Sequence, residues 1–566
     1  MKQCINCTQA FEVTDDDRAF YLKVDVPEPT WCPPCREMRR MAWCNEGVLY
    51  PDTCANCKKQ TVSQFNPKNP RTRYCVQCWW SDAYNPTDYE QDFDLSRPFF
   101  EQFHELDLRI PHPTVSTEMD ENCEYTHHAG RNKNCYFIFH ATYNEDCMYG
   151  YGVKKDKNCI DIHNAFESEL CYECIDVENC YDLGWSQDCF NSASSRFLRD
   201  CIGCTDCFMC VGLRNKKFCF LNEQMTQEEY TKKITTINTS SKIQVQKLWE
   251  RYMELLKDFG FKALQNTMIE NSSGDHLIKA KNSFYCFDCN NIEDSKFVSQ
   301  VQLGTRHCYD LYQFGNNAEL CYEGAMIGSD VYKILFGILC IGMTSDVQYC
   351  INTYNNSSNC FGCIGLKKNK FCILNKQYSE KEYFELLPKI IEKMKTDGSY
   401  GEFFPINMSH TAYNETMAQL WYPMTKEQVL EKGWKWEDEL PGTFGKETIT
   451  EIPDDINYTS DDIVKEILAC SHCKKNFKIT PKELKFYKQN NYPLPSYCFN
   501  CRRCARMQMR NPRKFWQRPC EKCTIQTWTT YPPDSWQKIF CETCYKKEVY
   551  GGFLISGCLM YNQRRK

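Results

Sequence analysis

The chain has 566 residues, enough for several domains, because single hydrophobic cores seldom grow past about 250–300 residues. Its formal net charge is −6 and its pI about 6.0, so the molecule as a whole has no bias toward polyanions and any such binding must be local. The amino terminus "MKQCINCTQAFEV" has no apolar core, and the longest apolar run, "ILFGILCIGM" (334–343), is far short of the roughly 18–20 residues of a membrane span.

These features predict a cytoplasmic protein without membrane association. In that reducing compartment, 41 cysteines argue for metal ligation and buried thiols rather than disulfides.

In chain order, residues 1–85 carry four C-x-x-C pairs, Cys4/Cys7, Cys32/Cys35, Cys54/Cys57 and Cys75/Cys78. Each pair is a tight turn offering two thiolates, and two such turns can meet around one ion, which predicts two Cys4 sites. A linker follows at 86–119, and "CWWSDAYNP" (78–86) is expected to anchor the first module onto its neighbour.

Residues 120–225 hold thirteen cysteines, at 123, 135, 147, 159, 171, 174, 180, 189, 201, 204, 207, 210 and 219. Every separation is a multiple of three. The recurring word is Asn or Asp, then Cys, then an apolar residue, and each word opens a short stretch with strand character, such as "CYFIFHATY" or "CIDIHNA". A fixed period of this kind predicts stacked repeats, here a cysteine-rich β-solenoid-like segment with two words, 18 to 24 residues, to each coil. Most of these cysteines are read as small buried hydrophobes.

Residues 207–230, "CFMCVGLRNKKFCFLNEQMTQEEY", recur at 360–383 as "CFGCIGLKKNKFCILNKQYSEKEY", an offset of 153 that predicts a second β-repeat segment at 274–378. Cys207, Cys210 and Cys219 persist as Cys360, Cys363 and Cys372, and form a candidate additional metal site. A helical connector is expected at 226–273. Thr226 with Glu229 and Ser379 with Glu382 fit the capping box, predicting helices over 227–258 and 380–396. The segment 379–465 is helical and aromatic-rich; Phe403, Phe404, Tyr413, Trp421, Tyr422, Trp434 and Trp436 are expected to pack on the second repeat segment, with a protein partner as the alternative. Within it, Thr425 and Gln428 fit another capping box and Gly433 a helix stop.

A second module spans 466–550, with a tail at 551–566. Its pairs are Cys470/Cys473, Cys498/Cys501, Cys520/Cys523 and Cys541/Cys544, each displaced by 466 from its counterpart in the first module. Phe11 and Phe477, Thr14 and Thr480, Tyr21 and Tyr487, Pro27 and Pro493, and Arg36 and Arg502 keep the same offset, so the unit is duplicated. The frame "CINCTQAFEVTDDDRAFYLKVDVPEPTWCPPCREMRR" and its partner "CSHCKKNFKITPKELKFYKQNNYPLPSYCFNCRRCARM" resemble a zinc-ribbon, treble-clef-like family of bacterial proteins. The whole chain is similar to uncharacterised cysteine-rich multidomain zinc-ribbon proteins of small-genome bacteria. Some of those bear a CoA-transferase label for which no residues here speak. Four structural Cys4 zinc sites are expected.

No phosphate-binding loop, dinucleotide fingerprint, H-E-x-x-H or G-x-S-x-G motif is present, so neither a small-molecule substrate nor a catalytic residue is identifiable. "THHAG" (126–130) and "MSHTAYNET" (408–416) contain histidines without a traceable partner. The stretch "RRCARMQMRNPRKFWQR" (502–518) has seven basic residues and no acid; Arg502, Arg503, Arg506, Arg510, Arg513, Lys514, Trp516 and Arg518 are candidate ligands for RNA or DNA, RNA favoured. The sequence therefore predicts a mainly β protein with helical linkers, in which duplicated double zinc-ribbon modules flank two cysteine-rich β-solenoid-like segments. Its expected role is a non-enzymatic interaction scaffold. The alternatives are a thiol- or metal-handling protein that uses the central cysteines, and an enzyme of unidentified reaction.

Overall fold

A computed structural model describes residues 1–302, 304–313, 315, 318–328, 333–338, 345–354 and 356–551. Much of the apolar run at 334–343 and all of the tail after Gly551 lie outside the described residues. The protein is mainly β, with twelve α-helices among those residues, and it divides into two compact units. One unit comprises residues 1–115 and 265–440; the other comprises 116–264 and 441–566. Each unit thus pairs a cysteine-pair module with the repeat segment that is not its sequence neighbour.

The repeat of the second unit is a parallel β-solenoid with a coil of 12 residues. Tyr151 pairs with Phe139 on one side and His163 on the other, and Ile162 pairs with Cys174. The expected coil of 18 to 24 residues is corrected, and the reason lies in the backbone. Every third residue from Met119 to Leu221 takes positive φ, including Asn134 (54°), Asp146 (57°), Asn158 (53°) and Asp161 (57°). A left-handed residue redirects the chain after each triplet, so four triplets close the circuit and the next coil stacks directly above. Asn and Asp tolerate this conformation better than other side chains that carry a Cβ, which is why they precede so many of the cysteines.

The residue after almost every left-handed position is turned into the interior. Cys135, Cys147, Cys159 and Cys171 form one interior column and are at most 2% exposed. Their thiols point at main-chain carbonyls two residues back, Cys159 Sγ lying 3.3 Å from Lys157 O. A second column is polar. The Asn144 side chain accepts from Asp156 N (2.9 Å) and donates to Val153 O (3.0 Å) and to Asn132 Oδ1 (2.9 Å). Buried amides bonded in this way avoid the cost of an unpaired polar group.

The first unit holds the second solenoid. Its coils begin at 11 residues (Thr267 with Ile278), go to 12 (Gly274 with Cys286), lengthen to 13 (Lys296 with Tyr309, Val347 with Cys360) and return to 12 (Cys360 with Cys372).

The capping boxes form as the sequence implies. Thr226 and Glu229 open the helix Gln227–Ile234, Ser379 and Glu382 open Glu380–Thr396, and Thr425 and Gln428 open Lys426–Glu431. The single helix expected over 227–258 is two, Gln227–Ile234 and Lys242–Leu256, because Ser241 starts a new N-cap by accepting from Gln244 N. In the first unit the aromatic segment packs on the solenoid: Phe404 meets Phe103 (5.2 Å) and Tyr349 (5.8 Å), and Gly401 N donates to Tyr349 Oη at 3.0 Å. Trp79 stacks on Tyr84 at 4.2 Å, with the Lys367 ammonium 5.0 Å from its ring centre.

Candidate metal centres

The sixteen paired cysteines come together as four Cys4 clusters: Cys4, Cys7, Cys32 and Cys35; Cys54, Cys57, Cys75 and Cys78; Cys470, Cys473, Cys498 and Cys501; and Cys520, Cys523, Cys541 and Cys544. Within each, the four sulfurs lie within 4.8 Å of one another. Across the two turns of each cluster, Cys7 and Cys32 are 3.7 Å apart, Cys57 and Cys75 3.8 Å, Cys473 and Cys498 3.7 Å, and Cys523 and Cys541 3.7 Å.

One local design recurs in all four. The residue after the first pair, Thr8, Lys58, Lys474 or Thr524, has φ near +60°. Its N–H returns to the carbonyl of the first cysteine, at 2.9, 3.0, 3.0 and 2.8 Å respectively. That bend turns both thiols to one side. The third cysteine of each cluster, Cys32, Cys75, Cys498 or Cys541, is the N-cap of a helix, so the positive end of that helix faces the thiolates.

Backbone N–H groups also reach the sulfurs, Cys32 N to Cys4 Sγ at 3.2 Å and Cys541 N to Cys520 Sγ at 3.3 Å. Burial pushes the Cys54, Cys470 and Cys520 thiols up, but the surrounding backbone N–H groups outweigh it and bring each down to about 6. Each of these three clusters therefore holds a ready thiolate at neutral pH. Four converging sulfurs leave no position for substrate, which is the arrangement of a structural rather than a catalytic ion.

The arginine-rich stretch is turned inward, against expectation. Arg502, Arg503, Arg506, Arg510 and Arg513 are between 4% and 9% exposed. Arg502 and Arg506 both reach Asp161 at 2.9 Å, Arg506 also reaches Glu173 at 2.9 Å, and Arg510 reaches Asp176 at 3.1 Å. The helix Phe499–Gln508 is thus clamped to acidic left-handed positions of the solenoid, and its guanidiniums do not face the solvent from which a polyanion would approach. Arg518 is spent on Ser535 Oγ (2.7 Å) and the Gln537 carbonyl (3.0 Å). Lys514 is exposed, with its ammonium 5.3 Å from the centre of the Trp516 ring.

Cys207, Cys210 and Cys219 occupy solenoid interior columns, as do Cys360, Cys363 and Cys372, and each is at most 1% exposed. Cys207 is the register partner of Cys219, and Cys360 that of Cys372. Their thiols lie 3.4 to 3.6 Å from carbonyls two residues back, as in the single-cysteine coils.

Sequence reading missed one buried cluster. His410 Nε2 lies 2.9 Å from Asp107 Oδ1, and His112 Nε2 lies 2.8 Å from the Asp107 carbonyl. Burial pushes His410 down to about 3, so it is neutral. These three residues could ligate an ion by position, but Arg71 is ion-paired with Asp107, and a guanidinium on the same carboxylate opposes a divalent cation. His127, from the other histidine motif, accepts at Nδ1 from Ser116 N at 2.9 Å.

No family model matches the chain, and no curated protein matches it. Among solved structures it is similar to a proposed acetyltransferase from Desulfovibrio desulfuricans G20, at 6% identity and a TM-score of 0.10. That match covers 41% of this chain and 65% of the other, just under two thirds of its length.

Proposed function

We propose that the protein is a non-enzymatic, zinc-dependent scaffold that binds single-stranded nucleic acid, RNA favoured, through its last ribbon. Zinc suits the four clusters because a tetrahedral ion about 2.3 Å from each sulfur sets the sulfurs about 3.8 Å apart, and the separations across the two turns are 3.7 and 3.8 Å. In each module the ion would fold the knuckles and fix the helix that carries the docking arginines.

The observation behind the ligand is Trp528. It is 56% exposed on the hairpin formed by Trp516–Pro519 and Gln526–Thr529, with Phe515 at 6.4 Å and the exposed Lys514 beginning the same hairpin. An exposed indole on this hairpin suits stacking by an unpaired base, and the exposed Lys514 just before the first strand suits the backbone phosphate. Unpaired bases are what RNA loops and ends present. The binding surface therefore moves from the arginine helix to this hairpin.

Fluorescence anisotropy with a labelled single-stranded RNA tests the proposal. Lys514→Glu combined with Trp528→Ala should weaken binding at least tenfold at moderate salt, with metal content and thermal unfolding unchanged. Equal affinity in this variant removes the hairpin as the site.

A further inference from the structure

The second unit contains a cleft of about 520 Å³ between the solenoid face, the helix Lys242–Leu256 and the last ribbon. Its walls are aromatic, with Trp185, Trp249, Phe261, Tyr531 and Trp536 facing it. Phe261 meets Trp536 edge-on at 5.4 Å and Tyr531 at 5.8 Å, so this end is a fixed set of ring faces and edges. A volume of this size is typical of small-molecule sites.

Among the described residues, four buried polar atoms of cleft-lining side chains have no hydrogen-bond partner: Gln187 Oε1, Arg199 Nε, Gln537 Oε1 and Arg502 Nη2, the last being 3.8 Å from Glu483. Gln187 is 4% exposed, and its amide orientation is set by Nε2 donating to the Met509 carbonyl at 3.4 Å, which leaves Oε1 as an acceptor. Gln187 and Arg199 are register partners on adjacent coils. An acceptor and a donor are therefore carried by adjacent coils on one wall. Leaving them unpaired in a buried site costs free energy that a ligand could recover.

The arginines around the cleft are paired with carboxylates. Arg199 pairs with Asp188 at 3.1 Å, Arg506 with Asp161 and Glu173, and Arg510 with Asp176; Lys242 Nζ donates to the Ile452 carbonyl at 2.7 Å. Lys242, near Asp454 and Glu451, is the remaining cation, and with the arginines paired a neutral ligand suits the cleft better than a phosphate.

We infer that this cleft binds a neutral planar heterocycle presenting an acceptor beside an N–H, the edge of a nucleobase. The acceptor takes Arg199 Nε–H, the ring N–H donates to Gln187 Oε1, a second N–H reaches Gln537 Oε1, and the aromatic walls cover the ring. The base can belong to a free nucleoside or to a strand. The inference does not depend on the exposed hairpin, because Trp528 is not among the cleft's lining residues.

Calorimetric titration of the full-length, metal-loaded protein with adenosine, guanosine, cytidine and uridine tests it. At least one nucleoside should bind saturably at millimolar concentration or below. Gln187→Met should weaken that binding at least tenfold with thermal unfolding unchanged, and Gln537→Met, at a half-buried position, provides a second probe should the first variant fail to fold.

If the nucleoside displaces a labelled single-stranded RNA, the natural source is a strand; if it does not, the source is a free nucleoside, and the cleft is supported in both cases. No saturable heat with any of the four, or undiminished binding in both variants, overturns the inference. Neither result bears on RNA binding at Trp528, which its own variant reads.

Discussion

Arg502 donates its Nε to Asp161 Oδ1 at 3.0 Å and lies 2.9 Å from Oδ2, and Arg36 donates its Nε to both Asp310 oxygens at 3.1 Å each. Arg36 and Arg502 are equivalent in the duplicated modules, each directly following the last cysteine of a Cys4 cluster. Asp161 and Asp310 both sit at left-handed solenoid positions, with φ of 57° and 67°. One docking solution thus occurs once in each unit. A second arginine four residues on joins it, Arg506 to Asp161 at 2.9 Å and Arg40 to Asp310 at 3.1 Å. The metal cluster fixes the start of the helix, the helix fixes the two guanidiniums, and a single buried carboxylate receives both.

Asp161→Asn removes the carboxylate that both guanidiniums share and leaves them buried without full compensation. Breaking a buried pair by removing one partner typically costs about 3–5 kcal/mol. Urea denaturation should show a loss in that range, and Asp310→Asn should give a similar loss from the other unit. A change below about 1 kcal/mol in both would mean that apolar packing alone holds the modules in place.

Metal removal should act on the modules first. Prolonged chelation is expected to take four ions per chain, one from each Cys4 cluster, and to release the helices that begin at Cys32, Cys75, Cys498 and Cys541. Elemental analysis of Cys4→Ser with Cys7→Ser should read three ions rather than four. Unchanged helical circular dichroism after complete metal loss would show that the clusters do not supply folding energy.

The solenoid thiols should be slow. Burial pushes Cys159, Cys174, Cys189 and Cys201 up, and all four are fully buried. Reaction with a thiol reagent in the metal-loaded protein should be fast at Cys504, which is exposed, and at half-buried Cys123, while the interior columns react only at the rate of unfolding. Rapid native-state titration of Cys207 or Cys360 would instead favour a thiol-handling role.

Much of this was legible because the signals are local. Gaps of unchanged length across four cysteine pairs locate every Cys4 cluster, and spacings in multiples of three encode the triplets, with Asn134, Asp146 and Asn158 marking left-handed residues before Cys135, Cys147 and Cys159. Coil length is not legible in the same way, because a strand word reads as half a coil, whereas a left-handed residue every third position needs only 12 residues to close. What pairs with the basic stretch was out of reach, since Arg502 and Asp161 are 341 residues apart. The cluster of Asp107 and His410, 303 residues apart, was hidden for the same reason.

The interior polar column carries a pH prediction. Asp156 continues the column of Asn132 and Asn144, its Oδ1 accepting from Ser168 N at 2.8 Å, while Oδ2 has no partner among the described residues. Burial pushes its carboxyl well above the usual carboxylate range, which favours the protonated form in the native protein. The unfolded chain releases that proton near pH 4. Between that pH and the native pKa the folded state binds more protons, and stability falls by about 1.4 kcal/mol per pH unit as pH rises.

Asp156→Asn removes this dependence and supplies a side-chain N–H of the kind that Asn132 and Asn144 use toward carbonyls nine residues on. Urea midpoints should therefore converge near pH 4 and separate toward pH 7, with Asp156→Asn the more stable by at least about 1 kcal/mol. A less stable variant at neutral pH would show that the interior holds a charged carboxylate, and that the column selects for charge as well as shape.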